Sequence, residues 1–255
     1  MSAPQEATGR LERHRHRTLP ELGAGGFSRL DGAVEFYQRV RALVGPDDVV
    51  LDLGAGRGCF GEDPVEHRRE LRRLRGRVGA LVGADVDPVV TTNPTLDRAH
   101  VIGPDGFLPL PDASVDAVVA DFVLEHVRYP ARTAAELTRV LRVGGWICAR
   151  TPNRWGSIAL PARLVPDRLH RRVLARVQPG KQERDTFPTA YRMNTAADLR
   201  RWFPETSFRH CSYTHDSEPA YVGRSVLAWS AFRAVAAITP PPLRSMWMVF
   251  IQRTA

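Results

Sequence analysis

The fold is decided by one run of the chain, Val49-Val50-Leu51-Asp52-Leu53-Gly54-Ala55-Gly56-Arg57-Gly58. A short apolar stretch ends in an acidic residue and a turn with alternating glycines. Glycine permits positive φ and carries no Cβ, so backbone N–H groups and a following helix N-terminus can closely approach a polar ligand. The run predicts a buried β-strand followed by a turn that lies against a nucleotide-like cofactor.

The spacing of the glycines distinguishes between classes of cofactor. A dinucleotide fingerprint, G-x-G-x-x-G, that began at Gly54 would need a glycine where this chain has Cys59. The chain also has no G-x-x-x-x-G-K-[ST] motif, which disfavours a nucleoside triphosphatase. A NAD-dependent oxidoreductase stays the alternative at the level of the fold.

Further motifs follow the glycine run in order, and together they resemble class I S-adenosylmethionine-dependent methyltransferases over residues 46 to 153. The resemblance rests on the run 49–58 and on four later segments: Leu81 to Pro88, Leu108 to Ala120, Leu124 to Val127, and Leu141 to Gly145. The chain is most similar to the small-molecule branch typified by quinone-biosynthesis methyltransferases, with a type 11 methyltransferase domain. A weaker likeness to bacterial methyltransferases of polysaccharide or natural-product pathways covers Thr151 to Gly156 and Asp185 to Arg192.

The resemblance implies an α/β fold with a Rossmann-like, seven-stranded, mostly parallel sheet, helices on both faces, an antiparallel last strand and a helical or loop insertion after strand five. The apolar runs are nearly continuous, which is typical of parallel strands covered on both faces. We predict strands near 48–53, 80–85, 99–102, 115–121 and 146–150, with a closing antiparallel pair at 207–213 and 246–252. Helical periodicity predicts helices near 35–44, 64–75, 131–141 and 195–202.

The chain divides into a tail and one domain. Residues 1–25 are polar and predict a flexible N-terminal tail, and residues 26–255 predict the methyltransferase domain. Prolines break residues 152–192 into short pieces, which predicts an insertion over the carboxyl ends of the strands.

The apolar segment from Val226 to Thr239 predicts a buried helix. Peripheral membrane contact is the alternative for this segment or for the segment from Trp155 to Val165. No segment reaches the roughly 20 apolar residues of a transmembrane helix.

Composition leaves a second function open. The net charge of +8 favours an anionic partner, so a nucleic-acid methyltransferase is an alternative. However, 35 of the 36 basic residues are arginine, which codon bias explains more simply. The amino-methylating nucleic-acid branch also carries an Asn/Asp-Pro-Pro-aromatic motif where this chain has Asp121-Phe122-Val123-Leu124. Three separated cysteines predict a cytoplasmic protein without disulfides or a metal site.

The resemblance implies S-adenosylmethionine as the cofactor and assigns the residues that bind it. Gly54, Ala55 and Gly56 face the methionine moiety, and Asp52 assists with its amino group. Asp85 accepts from the ribose hydroxyls because a carboxylate can accept two hydrogen bonds at once. The remaining expected contacts are Val86, Asp105, Gly106 and Phe107 at the adenine, Asp121 and Phe122 at the methionine and the substrate, and Tyr37 at the cofactor's carboxylate.

The resemblance implies transfer of a methyl group to a small molecule, with O-methylation favoured over N- or C-methylation. A base is needed only when the acceptor carries a proton, and His126 is the first candidate because it follows strand four and titrates near neutrality. His215 is a second candidate, and Tyr191, Asp216 and Glu218 lie in segments that could fold over the site. A non-catalytic protein that keeps the cofactor pocket is a further alternative.

Overall fold

Residues 3–156, 188–219 and 223–255 are described by a computed structural model, with side chains from residue 9 onward. Most of the insertion predicted over 152–192 lies outside these residues, as does most of the segment from Trp155 to Val165. The described part contains one mixed β-sheet with helices on both faces.

Five parallel strands form the body of the sheet: β1 (Val49–Leu53), β2 (Ala80–Asp85), β3 (Arg98–Val101), β4 (Val115–Asp121) and β5 (Leu141–Pro152). Three antiparallel strands complete it: β6 (Phe208–His210), β7 (Tyr213–His215) and β8 (Met246–Arg253). The order is β3-β2-β1-β4-β5-β8-β6, with β7 also paired to β8. The order reverses direction at β1 and β4, so their carboxyl ends frame the crevice where open α/β sheets bind ligands.

The sheet has eight strands rather than seven because the strand predicted at 207–213 is divided into β6 and β7. β6 and β7 pair with β8 in one continuous register, since His210 lies opposite Ile251 and Tyr213 lies opposite Met248. The pairing is interrupted between them because the Ser212 hydroxyl, rather than a backbone carbonyl, accepts the N–H of Phe250 at 3.1 Å. The predicted architecture is therefore confirmed, with one closing strand broken in two.

Helices cover both faces of the sheet: α2 (Gly32–Leu43), α3 (Glu66–Arg72), α4 (Pro130–Val140) and α5 (Ala196–Trp202). Asp31 caps α2 by accepting the N–H groups of Ala33 and Val34, and Thr195 caps α5 by accepting the N–H of Asp198. One buried cluster packs α4 and α5 on the sheet, and a second packs α2 on the opposite face. Both faces of the parallel strands are therefore apolar.

The prediction of a flexible tail over residues 1–25 is wrong for most of that segment. Residues Ala3–Thr18 form a helix, α1, and a short 3-10 turn follows at Pro20–Gly23. Leu19 and Leu22 are buried against Trp229, which lies more than 200 residues later in the chain. Arg15 also forms an ion pair with Glu218 at 2.5 Å. The prediction failed because it rested on the polar composition of the segment, whereas two buried leucines attach the segment to the domain.

The helix at Val226–Ile238, α6, is present, but the prediction that it is buried is wrong. Its Trp229 is buried, whereas Leu227 is 80% exposed and Ile238 is 83% exposed. The apolar face away from Trp229 is thus open to solvent, and peripheral membrane contact of this helix stays a prediction. Within the described ranges, every helix is too short or too polar to cross a bilayer.

Candidate functional site

The glycine bend and the end of β2 meet at the carboxyl edge of the sheet. The N–H of Gly54 donates to the carbonyl of Ala84 at 2.7 Å, and the N–H of Gly56 donates to Oδ2 of Asp85 at 2.9 Å. Gly54 has φ +72°, and a Cβ placed on it would lie 2.5 Å from Cγ2 of Val123. The bend therefore requires glycine both for its conformation and for its close approach to the chain that follows β4.

Asp85 is largely buried, and two backbone groups fix its carboxylate. Oδ1 accepts the N–H of Asp87 at 2.9 Å, and Oδ2 accepts the N–H of Gly56. An ionised carboxylate accepts about four hydrogen bonds, so each oxygen can still accept one more. Asp87 itself caps the next turn by accepting from the N–H of Val89, as the sequence predicts. Asp85 is thus an oriented acceptor beside the glycine bend.

Two of the apolar side chains expected at the adenine are unusually open. Val86 is 61% exposed and Phe107 is 50% exposed, although both are the kind of residue that usually packs inside. Asp105 lies in an exposed turn closed by the bond from Gly106 N–H to Gly103 O. The Asp105 carboxylate accepts the N–H of Phe107 at 3.2 Å. The backbone N–H of Phe107 is therefore already used within the turn.

Four side chains meet at the ends of β1, β4 and β5: Asp52, Asp121, Arg150 and Tyr37. Nε of Arg150 donates to Oδ1 of Asp121 at 2.5 Å, and its Nη2 donates to Oδ2 at 2.9 Å. The hydroxyl of buried Tyr37 donates to the same Oδ2 at 3.2 Å. Asp121 is therefore a fully engaged carboxylate, and Tyr37 is held on it.

The two carboxylates of this group differ in their ionisation. Burial alone would raise the pKa of Asp121, but the ion pair with Arg150 outweighs it and lowers that pKa below its usual value. Burial, with the nearby charge of Asp121, raises the pKa of Asp52 to about 7. Asp52 is thus poised to ionise near neutral pH, where a cationic ligand would favour its charged form.

The chain turns sharply at Phe122, directly after Asp121. Phe122 has φ +60°, which is uncommon outside glycine, and its N–H donates to the carbonyl of Arg150 at 2.9 Å. The guanidinium carbon of Arg150 lies 4.8 Å from the centre of the Phe122 ring. Arg150 therefore fixes both residues that the sequence predicts at the methionine and substrate edge, so strain at Phe122 is held by its surroundings.

The two candidate histidines lie in different surroundings. His126 ends the 3-10 turn after β4, and its Nδ1 donates to the carbonyl of Pro188 at 3.2 Å. In the neutral ring this bond leaves Nε2 as the basic nitrogen. His215 lies on β7 beside Glu35 and the carbonyl of Leu30, and burial lowers its pKa. His126 therefore lies in the segment that follows β4, whereas His215 lies on β7.

The remaining candidates for covering the site have structural contacts. The N–H of Tyr191 donates to the carbonyl of Glu125 at 3.1 Å, and Asp216 accepts the N–H of Ser245 at 2.7 Å. Glu218 pairs with Arg15 of α1. These contacts hold the segments after α1, β5 and β7 in place, and they do not single out any of the three residues for catalysis.

Three residues of the site were missed from the sequence. Arg150 carries the ion pair with Asp121, and an arginine at the end of an apolar strand could have indicated it. Arg72 lies in an arginine-rich run of the sequence, yet its Nη2 lies 3.6 Å from Oδ2 of Asp121 and its guanidinium covers the rings of Tyr37 and Phe60. Its Nε is buried without a hydrogen-bond partner among the described residues.

Glu125 is the third residue that was missed. It is buried, and its carboxylate accepts from the Thr151 hydroxyl at 2.9 Å.

Comparison with known proteins agrees with this geometry. Residues 51–149 match the family described as "Methyltransferase domain". A probable S-adenosylmethionine-dependent methyltransferase of Mycolicibacterium smegmatis is 34% identical over 143 residues, which are 54% of this chain and 50% of that protein. The chain thus spans about half the length of the curated relatives of this kind that it matches.

Solved structures share the fold at low sequence identity. Geranyl diphosphate C-methyltransferase from Streptomyces coelicolor A3(2) has a TM-score of 0.52 and 17% identity, covering 86% of this chain and 76% of its own. A chain from the complex of the Haloferax volcanii Trm112 activator with a putative methyltransferase has a TM-score of 0.53 and 16% identity, covering 99% of this chain and 97% of its own. Residues 51–149 therefore match a methyltransferase domain, and the chain has the fold of class I S-adenosylmethionine-dependent methyltransferases.

Proposed function

We propose that this protein binds S-adenosylmethionine and transfers its methyl group to a small-molecule acceptor, with oxygen as the favoured acceptor atom. The observation that carries the proposal is the 2.9 Å bond between the N–H of Gly56 and the carboxylate of Asp85. This bond joins the glycine bend to an acidic residue whose side chain is oriented. The bond holds the Asp85 carboxylate at the bend, and the oxygens of that carboxylate keep lone pairs that can accept hydrogen bonds from a diol.

The residues present fit the cofactor in charge and in shape. Asp85 would accept from the ribose hydroxyls, and the exposed side chains of Val86 and Phe107 would cover the faces of the adenine. Asp52 would hold the amino group. Arg72 carries a buried Nε without a partner among the described residues, so it would hold the methionine carboxylate beside Tyr37, whose hydroxyl already donates to Asp121. When bound, the cofactor supplies a methyl group that its sulfonium already activates.

The protein's own contribution to transfer is alignment, exclusion of water and removal of a proton. Alignment of the reacting atoms can supply much of the acceleration. The turn at Phe122 and the segment to His126 follow β4, where the acceptor would lie. For a hydroxyl acceptor, Nε2 of His126 would take the proton while the bond from Nδ1 to Pro188 keeps the ring oriented. A natural-product or saccharide-type acceptor fits the likeness found in the sequence.

Binding and turnover test this proposal directly. Isothermal titration calorimetry of the full chain with S-adenosylmethionine should give a dissociation constant in the micromolar range, about −8 kcal/mol at 1 μM. A mass-spectrometric screen of candidate metabolites should then find one that gains the mass of a methylene group. Cofactor binding without any methylated product across a broad screen would favour the non-catalytic alternative, and absence of binding would contradict the proposal.

The raised pKa of Asp52 predicts that cofactor affinity depends on pH. Because the ligand's ammonium favours the ionised carboxylate, protonation of Asp52 below its pKa of about 7 should weaken binding. We expect the dissociation constant to rise about tenfold from pH 7.0 to pH 5.5, a range in which an α-amino group stays protonated. Calorimetry at several pH values measures this slope. Asp52→Asn should flatten it, and an unchanged slope in that variant would assign the titration to another group.

A further inference from the structure

An arginine-rich cleft lies beside the candidate site and has no role in holding the cofactor. Its volume is about 500 Å³, and five arginines contribute to its lining: Arg128, Arg132, Arg154, Arg192 and Arg201. Asp198 is the sole carboxylate among its lining residues, and Tyr129 and Trp202 provide aromatic walls. Arginines therefore outnumber acids by four in one concave space of the size that binds small molecules.

The cleft is assembled at the carboxyl edge of the parallel strands. Arg128 follows the turn that contains His126, Arg154 lies two residues beyond the end of β5, and Arg201 lies on α5. Distant segments of the chain thus bring their guanidinium groups to the same edge as the glycine bend. In open α/β sheets this edge carries the ligands, so the cleft is placed to hold part of the methyl acceptor.

The arginines of the cleft are positioned without being neutralised. Nη1 of Arg192 donates to the carbonyl of Arg128 at 2.8 Å, and Nη1 of Arg132 donates to the carbonyl of Asp105 at 2.6 Å. Within the described ranges, none of the five has a carboxylate oxygen within 4.0 Å, unlike Arg139 and Arg142, which both do. Nε of Arg154 is buried and lacks a hydrogen-bond partner in those ranges. Arg154 as a whole is half-buried, but a buried N–H without a partner is costly, and an anion would satisfy it.

The start of α4 adds to the same positive field. Its first residues, Pro130 and Ala131, line the cleft. The N-cap residue Tyr129 makes no capping bond through its side chain, and the first turn contains no acidic residue. Uncapped N–H groups and the helix dipole favour an anion at this position. The helix terminus and the guanidinium groups therefore converge on one site.

We propose that the cleft binds a phosphate or diphosphate group of the methyl acceptor, which narrows the substrate class and rests on the function proposed above. Several guanidinium groups match a multiply charged oxyanion because each can donate two parallel hydrogen bonds. Tyr129 and Trp202 then flank the rest of the molecule. A cleft of about 500 Å³ suits a small phosphorylated compound, whereas a nucleic-acid strand is held by a groove that follows its backbone.

Inorganic pyrophosphate is the probe that tests this inference. Calorimetry of the full chain at low ionic strength should show binding at about 1 mM or tighter, weakening as salt is added. The double variant Arg154→Gln/Arg201→Gln should lose at least about tenfold in affinity for each arginine removed. Arg98→Gln is the matched control because Arg98 is an exposed arginine on β3, far across the sheet from the cleft, and it should leave pyrophosphate binding unchanged.

The outcomes separate this inference from the proposed function. S-adenosylmethionine should bind the double variant within about threefold of the original affinity, which also shows that the variant is folded. Loss of pyrophosphate binding in the double variant alone supports the inference. Equal binding by the double variant and Arg98→Gln, or no binding by the full chain that still binds S-adenosylmethionine, overturns the inference alone. Tighter binding of a short single-stranded RNA through the same arginines overturns the choice of a small molecule.

Discussion

Replacing Asp85 with alanine should weaken S-adenosylmethionine binding by about 100-fold or more. The carboxylate would accept two hydrogen bonds from the ribose, and a bond to a charged group contributes about 1.5–3 kcal/mol. Two such bonds correspond to at least two powers of ten in the dissociation constant. The substitution also leaves the N–H of Gly56 without its acceptor, so the glycine bend loses the bond that orients it. Calorimetry with the purified variant measures the effect.

Asp87 provides the control for this experiment. It lies two residues beyond Asp85 and accepts from the N–H of Val89 at 2.9 Å at the start of the following turn. Asp87→Ala removes the same charge from the same loop, and we expect affinity to stay within about threefold because the lost bond is a cap. Unchanged binding in Asp85→Ala, with circular dichroism showing a folded chain, would show that the ribose is held elsewhere.

The variant Gly54→Val tests the glycine bend that faces Asp85. Gly54 has φ +72°, and the added Cβ would lie 2.5 Å from Val123, so the bend must move to accommodate any side chain. Binding should be weakened at least as much as in Asp85→Ala. The two variants act on opposite walls of one crevice, so binding that survives both would separate the bend from the cofactor altogether.

The central strands could be predicted closely because their information is local. A parallel strand covered on both faces reads as an apolar run, and the chain places glycine, proline or aspartate at the ends of these runs. The register of β1 with β2 and β4 then follows from the fold that the motifs imply. The acidic residues at strand ends were found for the same reason, since each one is the last or second-last residue of its own strand.

The contacts between distant segments could not be predicted from local patterns. The tail prediction failed because Leu19 and Leu22 are too few to outweigh the polar residues around them, and Trp229 is remote in sequence. The burial predicted for α6 failed in the opposite sense. Its periodicity is right, but no described element covers the side that carries Leu227 and Ile238. Hydrophobicity gives the propensity to be covered and does not say which segment does so.

The same reasoning explains the arginines that the sequence left unassigned. With 36 basic residues in the chain, a single arginine carries little information by its identity alone. Arg72 lies in a run of arginines, and only the packing of α3 shows that this one turns inward to Asp121. Arg150 differs because it lies within the buried run 147–151 near the end of its strand. A charge at such a position needs a partner, so its burial was deducible although the identity of Asp121 was not.

Replacing Arg150 with methionine should lower the free energy of unfolding by about 3 kcal/mol, because it leaves the buried carboxylate of Asp121 with only the longer, 3.6 Å contact to Arg72. Arg142→Met is the matched control on the same strand. Arg142 also pairs with an aspartate, Asp116, at 2.7 Å, but its side chain is 47% exposed, against 10% for Arg150. An exposed pair contributes about 0–1 kcal/mol, so the control should lose little. Urea unfolding of both variants measures the difference.

The pH dependence of this loss identifies its cause. Asp121 has a folded pKa below its ordinary value of 3.8, so its ion pair stabilises the fold above that value and loses its effect as the pH falls through the folded pKa. The deficit of Arg150→Met relative to the unmodified chain should therefore be full near neutral pH and shrink at strongly acidic pH. Adding Asp121→Asn to Arg150→Met should recover stability near neutral pH, since the unpaired charge is then removed. A deficit that is the same at both pH values, and that Asp121→Asn does not relieve, would assign the role of Arg150 to packing against Phe122 rather than to charge.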